Sequence, residues 1–359
     1  MVLLSTILVF KALEYFTSTI VGYIVFLKKK RMKNIGVNGF GRIGRYFTRI
    51  ALERDDIKVL VVNDLADIKT LAHLFKYDSV HGKLKYDFKI EGQKLVFENG
   101  KEITFTQERE PNKIGWSNFG VTTVVECTGI FRTSELAKLH LTGGAKKVVL
   151  SAPPKSEMRT IVLGVNDEEL TDDDVLVSNA SCTTNNAAPM VKVLKEILEI
   201  ESAYITTIHS YTSDQRLHDS PHSDLRRARA ANLSIIPTTT GAAKAITKIF
   251  PDLEGKIGGC GIRVPVPNGS MTDLTLVVKN TTTIEKINEA MLEASKGPLK
   301  GILGYTDEPI VSVDIVGNPH SCLFDSQLTS VIGNMVKVVG WYDNEAGYSN
   351  RLADLVARI

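Results

Sequence analysis

Short apolar runs alternate with segments of helical periodicity in the first half of the chain. Strands are predicted at residues 35–37, 59–62, 123–127 and 147–150, and apolar side chains after the first strand recur at helical spacing. Strands that alternate with helices are typical of a parallel sheet with helices on both faces. This part of the chain is therefore predicted to have an α/β fold.

The second half of the chain opens where a strand gives way to a helix. Residues 174–178 read as a short apolar strand, and apolar side chains from Ala187 to Leu198 recur at helical spacing. A helix is therefore expected to begin close to Cys182. A further strand is predicted at residues 203–208.

The N-terminal residues 1–33 are expected to lie outside the fold and have three interpretations. A membrane anchor is one, because the apolar run at residues 12–27 approaches the length of a membrane span and the basic residues 28–31 would stay cytoplasmic. A secretory signal fits worse, since its positive charge would precede the apolar run. A translation start at Met32 is favoured, because the first strand follows it directly.

Composition narrows the class of protein. A chain of 359 residues with nearly balanced acids and bases is typical of a soluble globular enzyme with two domains. The formal net charge of +2 gives no case for a nucleic-acid partner. Neither a zinc spacing nor a paired framework is evident, so we expect no metal and a reducing, cytoplasmic location; the cysteines are Cys127, Cys182, Cys260 and Cys322.

A glycine-rich turn joins the first strand to its helix. Gly39, Gly41 and Gly44 form the Gly-x-Gly-x-x-Gly pattern, in which the backbone approaches a pyrophosphate at a helix N-terminus. Asp64 follows the second strand, where an acid binds the ribose hydroxyls of a dinucleotide or simply sits in a turn. A carboxylate there would repel the additional phosphate of NADP. NAD is therefore the expected cofactor.

Polar residues also follow the later strands of this half. Thr128, Gly129 and Ser151 come directly after strands whose carboxyl ends should line the nicotinamide ribose and the pyrophosphate. Cys127 is expected to be a core cysteine. Near the C-terminus, Asn344 is a candidate for binding the nicotinamide carboxamide, for capping the final helix, or for both.

The candidate chemistry centres on Cys182, which lies between hydroxyl side chains at a helix N-terminus. Helix amides favour a thiolate, so we expect a lowered cysteine pKa; the alternative is an inert buried cysteine with a capped helix. His209 follows a strand and suits a general base. The nearby Thr212 and Asp214 suit a phosphate or a ribose.

Arginines and threonines in the second half suit anion binding. An arginine run at residues 226–229 precedes a threonine run that ends at Gly241, and Arg263 follows. Guanidinium groups and hydroxyls beside a glycine are typical of phosphate sites. The arginine run is too short, and lacks the interleaved aromatics, to indicate nucleic acid.

Over residues 34–359 the chain resembles the phosphorylating glyceraldehyde-3-phosphate dehydrogenases of bacterial type. The motifs that carry the resemblance lie at residues 38–45, 181–185, 209–212, 224–229, 238–244 and 341–351. The resemblance implies that Cys182 attacks an aldehyde to form a thiohemiacetal and that His209 is the base. It also implies a thioester that inorganic phosphate releases as an acyl phosphate, with NAD as the oxidant.

The resemblance further assigns binding residues. It implies a site for the C3 phosphate of glyceraldehyde 3-phosphate, in which Asp214 orients Arg263, and a second site for attacking phosphate. The first comprises Thr212, Asp214 and Arg263, and the second comprises Ser181, Thr183, Thr240, Gly241 and Arg227. NAD contacts are implied for the backbone of Arg42 and Ile43, for Asp64, for the main chain of Arg109, and for Ser151 and Asn344.

The resemblance implies a particular architecture. A Rossmann domain would comprise residues 34–181 and 344–359, and an α+β catalytic domain with a mixed, largely antiparallel sheet would comprise residues 182–343. A homotetramer is implied, with residues 215–229 at an interface. Two positions depart from the family pattern: Asn186 replaces a frequent second cysteine, and Ser220 stands where NAD-specific members commonly have leucine.

Two other functions remain open from the sequence. Erythrose-4-phosphate dehydrogenases share this core and hydrolyse the acyl intermediate more readily. A membrane-anchored binding protein on a dehydrogenase scaffold is suggested by the apolar N-terminus. The cysteine, the histidine and both anion sites argue against this alternative, because a binding module does not need them together.

Overall fold

The computed structural model describes residues 32–359. The membrane-anchor, signal and start-site interpretations concern residues 1–31 and lie outside the described range. The first strand begins at Lys33, at the edge of the segment expected to be outside the fold. Among residues 32–359, no helix combines the length and the apolar character needed to cross a bilayer.

The first half of the chain forms a nine-stranded sheet with a small separate hairpin. The strands are β1 (Lys33–Asn38), β2 (Ile57–Asn63), β3 (Tyr77–Asp78), β4 (Gly82–Lys83), β5 (Phe88–Glu91), β6 (Lys94–Phe97), β7 (Glu102–Thr106), β8 (Thr123–Glu126), β9 (Lys147–Leu150), β10 (Arg159–Thr160) and β11 (Leu176–Ser178). The sheet order is β10-β11-β9-β8-β1-β2-β7-β6-β5, and β3 pairs with β4. Pairing is parallel from β10 to β7 and antiparallel through β6 and β5.

The second half forms a seven-stranded mixed sheet. Its strands are β12 (Ile200–Ser210), β13 (Ile236–Thr238), β14 (Ile257–Val264), β15 (Ser270–Val278), β16 (Leu303–Thr306), β17 (Cys322–Ile332) and β18 (Met335–Tyr342). The order is β13-β14-β12-β15-β18-β17-β16. Only the β12–β14 and β16–β17 pairs are parallel. The predicted fold class, a Rossmann sheet plus a largely antiparallel mixed sheet, is confirmed.

Helices cover both sheets. They are α1 (Arg42–Leu52), α2 (Ile68–Lys76), α3 (Ser134–Thr142), α4 (Cys182–Ile197), α5 (Ala242–Ile249), α6 (Ile284–Lys296) and α7 (Ala346–Arg358). The C-terminal helix α7 returns to the first sheet, where Leu352 and Val356 share a core with Phe47 of α1. Helix α4 buries Val191 and Leu194 in the core of the second sheet. The apolar spacing in α4 therefore gives it one face for packing.

These connections bring the ends of several strands together. Parallel pairing aligns Asn38 at the end of β1 with Glu126 at the end of β8, and Glu126 with Leu150 at the end of β9. Helix α4 begins at Cys182, a few residues after β11 of the first sheet ends. It packs against the second sheet, so Cys182 lies where the two sheets meet.

Candidate active site

A strained backbone leads into the helix that begins with Cys182. Ala180 has a positive φ of 56°, which a residue with a Cβ rarely adopts. The conformation is held at both ends, because the Ala180 amide donates to Ser178 Oγ at 3.0 Å and Tyr348 OH donates to the Ala180 carbonyl at 3.0 Å. Ser181 caps the helix by accepting from the Thr184 amide at 3.0 Å.

The cysteine and the histidine that the sequence selects lie together. Cys182 Sγ is 3.4 Å from His209 Nε2, and both side chains are largely shielded from solvent. On the other side of the ring, His209 Nδ1 lies 2.7 Å from the Ser210 carbonyl and 2.6 Å from Arg263 Nη1. The Ser210 carbonyl can also accept a hydrogen from Nδ1, and in that tautomer Nε2 accepts the thiol proton. Arg263 Nη1 can only donate, so this tautomer requires the guanidinium to donate to the Ser210 carbonyl and to move away from Nδ1.

Burial controls the resting protonation of this pair. Burial raises the pKa of the Cys182 thiol, although Arg263 and the Thr183 amide act in the opposite direction. Burial and the Arg263 charge lower the pKa of His209 to about 3. A thiol and a neutral imidazole therefore face each other. The expectation of a lowered cysteine pKa is wrong, because burial outweighs the helix amides.

Arg263 and Arg227 bring two positive charges towards this pair. Arg263 Nη1 also donates to the Ser210 carbonyl at 2.9 Å. Arg227 donates to Asp214 Oδ2 at 2.6 Å and to Thr238 Oγ1 at 2.9 Å. The resemblance implied that Asp214 orients Arg263, but its hydrogen bond goes to Arg227. The loop that carries Asp214 lies beside the arginine run at residues 226–229, so the Asp214 carboxylate accepts its hydrogen bond from Arg227.

The remaining residues predicted to bind anions already hold protein partners. Thr212 donates through its amide and its hydroxyl to Gln215 Oε1, at 2.9 and 3.1 Å. Thr183 Oγ1 lies 3.0 Å from the Tyr342 hydroxyl. Thr240 Oγ1 accepts from the Ala242 amide at 3.2 Å, next to the N-cap of α5 at Gly241. Side-chain positions are thus fixed around the cysteine.

The glycine-rich turn has the geometry needed to approach a pyrophosphate. Gly39 has a φ of 92°, and a Cβ on Gly44 would lie 2.2 Å from the Gly39 carbonyl oxygen, so α1 can pack on β1 only without a side chain there. A Cβ on Gly41 would meet nothing within 4 Å. No side chain caps α1, which leaves the first-turn amides of Arg42 and Ile43 for an anion.

Asp64 is tied to this turn. Its Oδ2 accepts from the Phe40 amide at 2.7 Å and its Oδ1 from the Ala66 amide at 3.0 Å, which fixes the carboxylate beside the glycines. The Arg42 side chain turns away to Asp78 at 2.6 Å. Only its backbone is therefore suited to the predicted contact. Arg109 is exposed on the loop that follows β7.

The nicotinamide-side candidates lie at strand ends and at the start of α7. Asn344 Oδ1 accepts from Ser210 Oγ at 2.7 Å and from Ser270 Oγ at 2.9 Å, which orients its amide nitrogen as a donor. Asp343 caps α7 by accepting from the backbone amides that follow it, so the cap interpretation of Asn344 is wrong. Thr128 and Gly129 follow β8, and Ser151 follows β9.

Sequence reasoning missed a buried polar network beneath these residues. Glu126 is fully buried and accepts from Asn38 Nδ2 at 2.6 Å and from the Thr128 amide at 2.6 Å. The Glu126 carboxylate also lies 3.0 Å from His140 Nε2, and His140 Nδ1 accepts from Trp116 Nε1 at 3.2 Å. The sequence feature that indicates this network is a glutamate, Glu126, at the end of an otherwise apolar strand. This network holds the turn after β1 and the turn after β8 together.

Sequence reasoning also missed Tyr342 beside the cysteine. Its hydroxyl lies 3.0 Å from Thr183 Oγ1 and 2.9 Å from Thr207 Oγ1, and its ring stands edge-on to His209. It therefore joins α4 to the strand that carries the histidine. The motif around residues 341–351 pointed to this segment but not to this contact.

These features fit a bound dinucleotide beside a reactive sulfur. An uncapped helix N-terminus offers amides to a pyrophosphate, Asp64 offers acceptors to a ribose, and Asn344 offers a donor to a carboxamide. Among residues 32–359, no group of three histidine, cysteine or acidic side chains is placed to hold a metal ion. The fold and the site are those of a dinucleotide-dependent oxidoreductase.

Comparison with known proteins identifies the family. Residues 33–134 match the family model described as the glyceraldehyde 3-phosphate dehydrogenase NAD binding domain, and residues 181–344 match the model of its C-terminal domain. Glyceraldehyde-3-phosphate dehydrogenase from Mycobacterium avium is 53% identical over 90% of this chain and 98% of its own length. The Geobacillus stearothermophilus protein of the same name is 54% identical over 90% and 97%. The chain belongs to the glyceraldehyde-3-phosphate dehydrogenase family, and the prediction of NAD as cofactor is confirmed.

Proposed function

We propose that the chain oxidises D-glyceraldehyde 3-phosphate with NAD and inorganic phosphate, giving 1,3-bisphosphoglycerate in glycolysis and gluconeogenesis. The observation that carries this proposal is the 3.4 Å contact between Cys182 Sγ and His209 Nε2 at the start of α4. Membership of the family supports the substrate and the cofactor. The proposal therefore assigns the chemistry to a specific pair of side chains.

The first step is attack on the aldehyde. Neutral His209 accepts the thiol proton through Nε2 as the Cys182 sulfur bonds to the aldehyde carbon. The resulting oxyanion is stabilised by the Cys182 backbone amide and by the protonated His209. Because both groups start neutral, charge develops only as the carbon–sulfur bond forms.

The second step oxidises the thiohemiacetal. The backbone amides of Arg42 and Ile43, Asp64 and Asn344 would hold NAD, which would supply the acceptor for the hydride of the substrate carbon. His209 first gives the thiol proton to the oxyanion, which completes the neutral thiohemiacetal and restores the neutral imidazole. His209 then takes the proton back from that oxygen as the hydride leaves and the carbonyl of the thioester forms. Oxidation thus conserves a reactive acyl group on Cys182.

Phosphate then releases the acyl group. A phosphate oxygen bonds to the acyl carbon, the carbon–sulfur bond breaks, and a proton returns through His209 to the departing sulfur. We assign the attacking phosphate to Ser181, Thr183, Thr240, Gly241 and Arg227. The substrate C3 phosphate is assigned to Thr212 and Arg263, and Asp214 is assigned to orient Arg227.

We propose the predicted domain organisation for the same enzyme. Residues 34–181 and 344–359 would form the Rossmann domain, and residues 182–343 the catalytic domain. Support comes from β11, the last strand of the first sheet along the chain, which ends at Ser178, and from α4, which packs on the second sheet.

We also propose a cytoplasmic homotetramer. The segment at residues 215–235 exposes four large apolar side chains, which a subunit interface would cover. Their exposed fractions are 71% for Leu217, 81% for Leu225, 80% for Leu233 and 70% for Ile235. The cytoplasmic location follows from the proposed role in glycolysis.

A phosphate titration tests the proposed reaction. NADH formation from glyceraldehyde 3-phosphate should depend on added phosphate and saturate with it. NADH formation that ignored phosphate would contradict the proposal and favour an acyl-enzyme that water hydrolyses. Erythrose 4-phosphate, assayed in parallel, should be the poorer substrate.

A further inference from the structure

A cavity of about 690 Å³ opens beside the backbone that precedes the nucleophile. One wall is the loop after β9 at residues 153–157, and a second is the face of α5 that carries Lys244 and Lys248. Ala180 and Gly241 also line the cavity. The volume is many times the roughly 30 Å³ occupied by one water, so a hydrated anion fits. The cavity therefore opens to solvent beside Ala180, two residues before Cys182.

The charge of this cavity is strongly one-sided. Four basic side chains line it, and Glu157 is the one carboxylate among its lining residues. The basic residues are Arg132, Lys155, Lys244 and Lys248. Low-dielectric walls with one sign of charge focus the field and raise the local concentration of the opposite ion. The cavity is therefore suited to attract a small dianion.

The lysines of the cavity are not used for internal pairing. Within residues 32–359, the ammonium groups of Lys155, Lys244 and Lys248 have neither a hydrogen bond nor an ion pair, whereas Lys195 on the neighbouring helix α4 pairs with Asp252. Lys244 and Lys248 are also one turn apart on α5, where like charges destabilise a helix by about 0.2–0.5 kcal/mol. Arg132 instead fixes the cavity wall by donating to the Pro153 carbonyl at 2.7 Å. The repulsion between Lys244 and Lys248 therefore destabilises α5 slightly. The ammonium groups of these two lysines and of Lys155 are available to a ligand.

The start of α5 at Gly241 adds a second attraction for anions to this cavity. Gly241 is the N-cap of α5, and a Cβ on it would meet nothing within 4 Å. Thr240 Oγ1 accepts only the first amide of the helix, that of Ala242, at 3.2 Å. The positive end of the α5 dipole therefore borders open space. Ala180, which also lines the cavity, lies two residues before Cys182. Gly241 is also one of the residues assigned to the attacking phosphate, so an anion held in this cavity lies next to that assigned site.

We propose that this cavity is the route by which inorganic phosphate reaches the thioester. Lys155, Lys244 and Lys248 gather phosphate from solvent and pass it towards Gly241, without contacting the aldehyde or NAD. This role rests on the proposed phosphorylating reaction. In this proposal, the lysines that capture phosphate from solvent are different residues from those that bind phosphate while it reacts.

Steady-state kinetics with phosphate as the varied substrate test this route. In the full chain, Lys244→Gln with Lys248→Gln should raise the KM for phosphate about tenfold, because charged clefts accelerate association by 10–10³. The kcat at saturating phosphate and the KM values for NAD and glyceraldehyde 3-phosphate should stay within about twofold of wild type. The conservative double variant K244R/K248R should restore the KM for phosphate.

A matched control removes the same charge elsewhere. Lys89→Gln on β5 with Lys286→Gln on α6 changes two exposed lysines outside the cavity and should leave the KM for phosphate unchanged. Equal KM values in the cavity double variant and in this control would overturn the route. Wild-type NADH formation that ignored phosphate would overturn the proposed reaction itself, so the two failures are distinguishable.

A measurement on wild type needs no variant to fold. Raising KCl from about 20 to about 200 mM shortens the Debye length and should lower kcat/KM for phosphate more steeply than kcat/KM for glyceraldehyde 3-phosphate. The cavity double variant should show a flatter salt dependence for phosphate. Identical salt dependence for the two substrates in wild type would count against the route.

Discussion

At the scale of single residues, burial decides how the cysteine and the histidine start the reaction. His209 is 5% exposed and lies against Arg263, so its charged form is disfavoured. The thiol that it faces is half-buried, and the pKa of this thiol is raised by desolvation. The Cys182 thiol and the His209 imidazole are therefore both neutral before the aldehyde binds. In the proposed reaction, proton transfer from Cys182 to His209 is therefore expected to be part of the attack and not to precede it.

The pH dependence of stability follows from this burial. Because the pKa of His209 falls from 6.5 to about 3 on folding, the unfolded chain binds more protons than the folded chain below pH 6.5. The free energy of unfolding should decline as the pH falls below that value and continue to decline towards pH 3. His209 accounts for about 2 kcal/mol of this loss between pH 7 and pH 5.

Urea unfolding of wild type and of His209→Asn, at both pH values, measures this contribution. The variant should lose about 2 kcal/mol less than wild type over the same pH range. An equal loss in both proteins would show that His209 is not held neutral by the fold.

At the scale of elements, two glycines of one turn have different tasks. Gly44 allows α1 to pack on the Gly39 carbonyl, whereas Gly41 stands at the open end of the helix. The two positions therefore separate packing from ligand binding. The packing position and the ligand-binding position therefore lie three residues apart in the same Gly-x-Gly-x-x-Gly motif.

Paired alanine variants test this separation. Gly44→Ala places a Cβ 2.2 Å from the Gly39 oxygen and should lower the Tm by more than about 5 °C, because α1 must move away from β1. Gly41→Ala should keep the wild-type Tm and weaken NAD binding at least about fivefold, because its Cβ projects where the pyrophosphate would rest. Calorimetry and NAD titration by fluorescence give both values. Equal changes in Tm for the two variants would contradict the assignment.

Local patterns explain why these elements were predictable. The start of α4 near Cys182 and strands β8 and β9 follow from apolar spacing over a few residues, and the structure has them there. The strand predicted at residues 174–178 begins only at Leu176, because the preceding residues turn. Boundaries depend on hydrogen bonds that a local pattern does not contain.

Contacts between distant residues explain what sequence reasoning missed. Asp214 pairs with Arg227 rather than Arg263, and Tyr342 lies 159 residues from Thr183, its hydroxyl partner. Burial also reversed the expected direction of the Cys182 pKa. Each of these features depends on how separate elements pack, so motif residues are identifiable from sequence while their partners are not.

At the scale of the whole molecule, the exposed apolar segment at residues 215–235 is the feature that one chain leaves unexplained. The same segment contains Arg227, which pairs with Asp214 beside the site. Assembly would bury the leucines and would also hold this loop in place. Oligomerisation and activity are therefore expected to be coupled.

Charged substitutions in this segment test the coupling. Leu225→Asp combined with Leu233→Asp should shift the tetramer towards smaller species, because a carboxylate is costly in an apolar interface. Analytical ultracentrifugation gives the assembly state, and specific activity should fall with the tetramer fraction. Ile90→Asp on β5, at a side chain 42% exposed, is the control and should assemble normally. A double variant that remained tetrameric would exclude these leucines from the interface.

The central claim is that Cys182 carries an acyl group that awaits phosphate, and intact-protein mass measurement tests it most directly. Mixed with NAD and glyceraldehyde 3-phosphate without phosphate, the enzyme should form up to one NADH per active site and gain one phosphoglyceryl group on Cys182. Added phosphate should remove the group and restore turnover. Cys182→Ser should bind NAD but give neither product. An acyl group on another residue, or turnover by Cys182→Ser, would contradict the account.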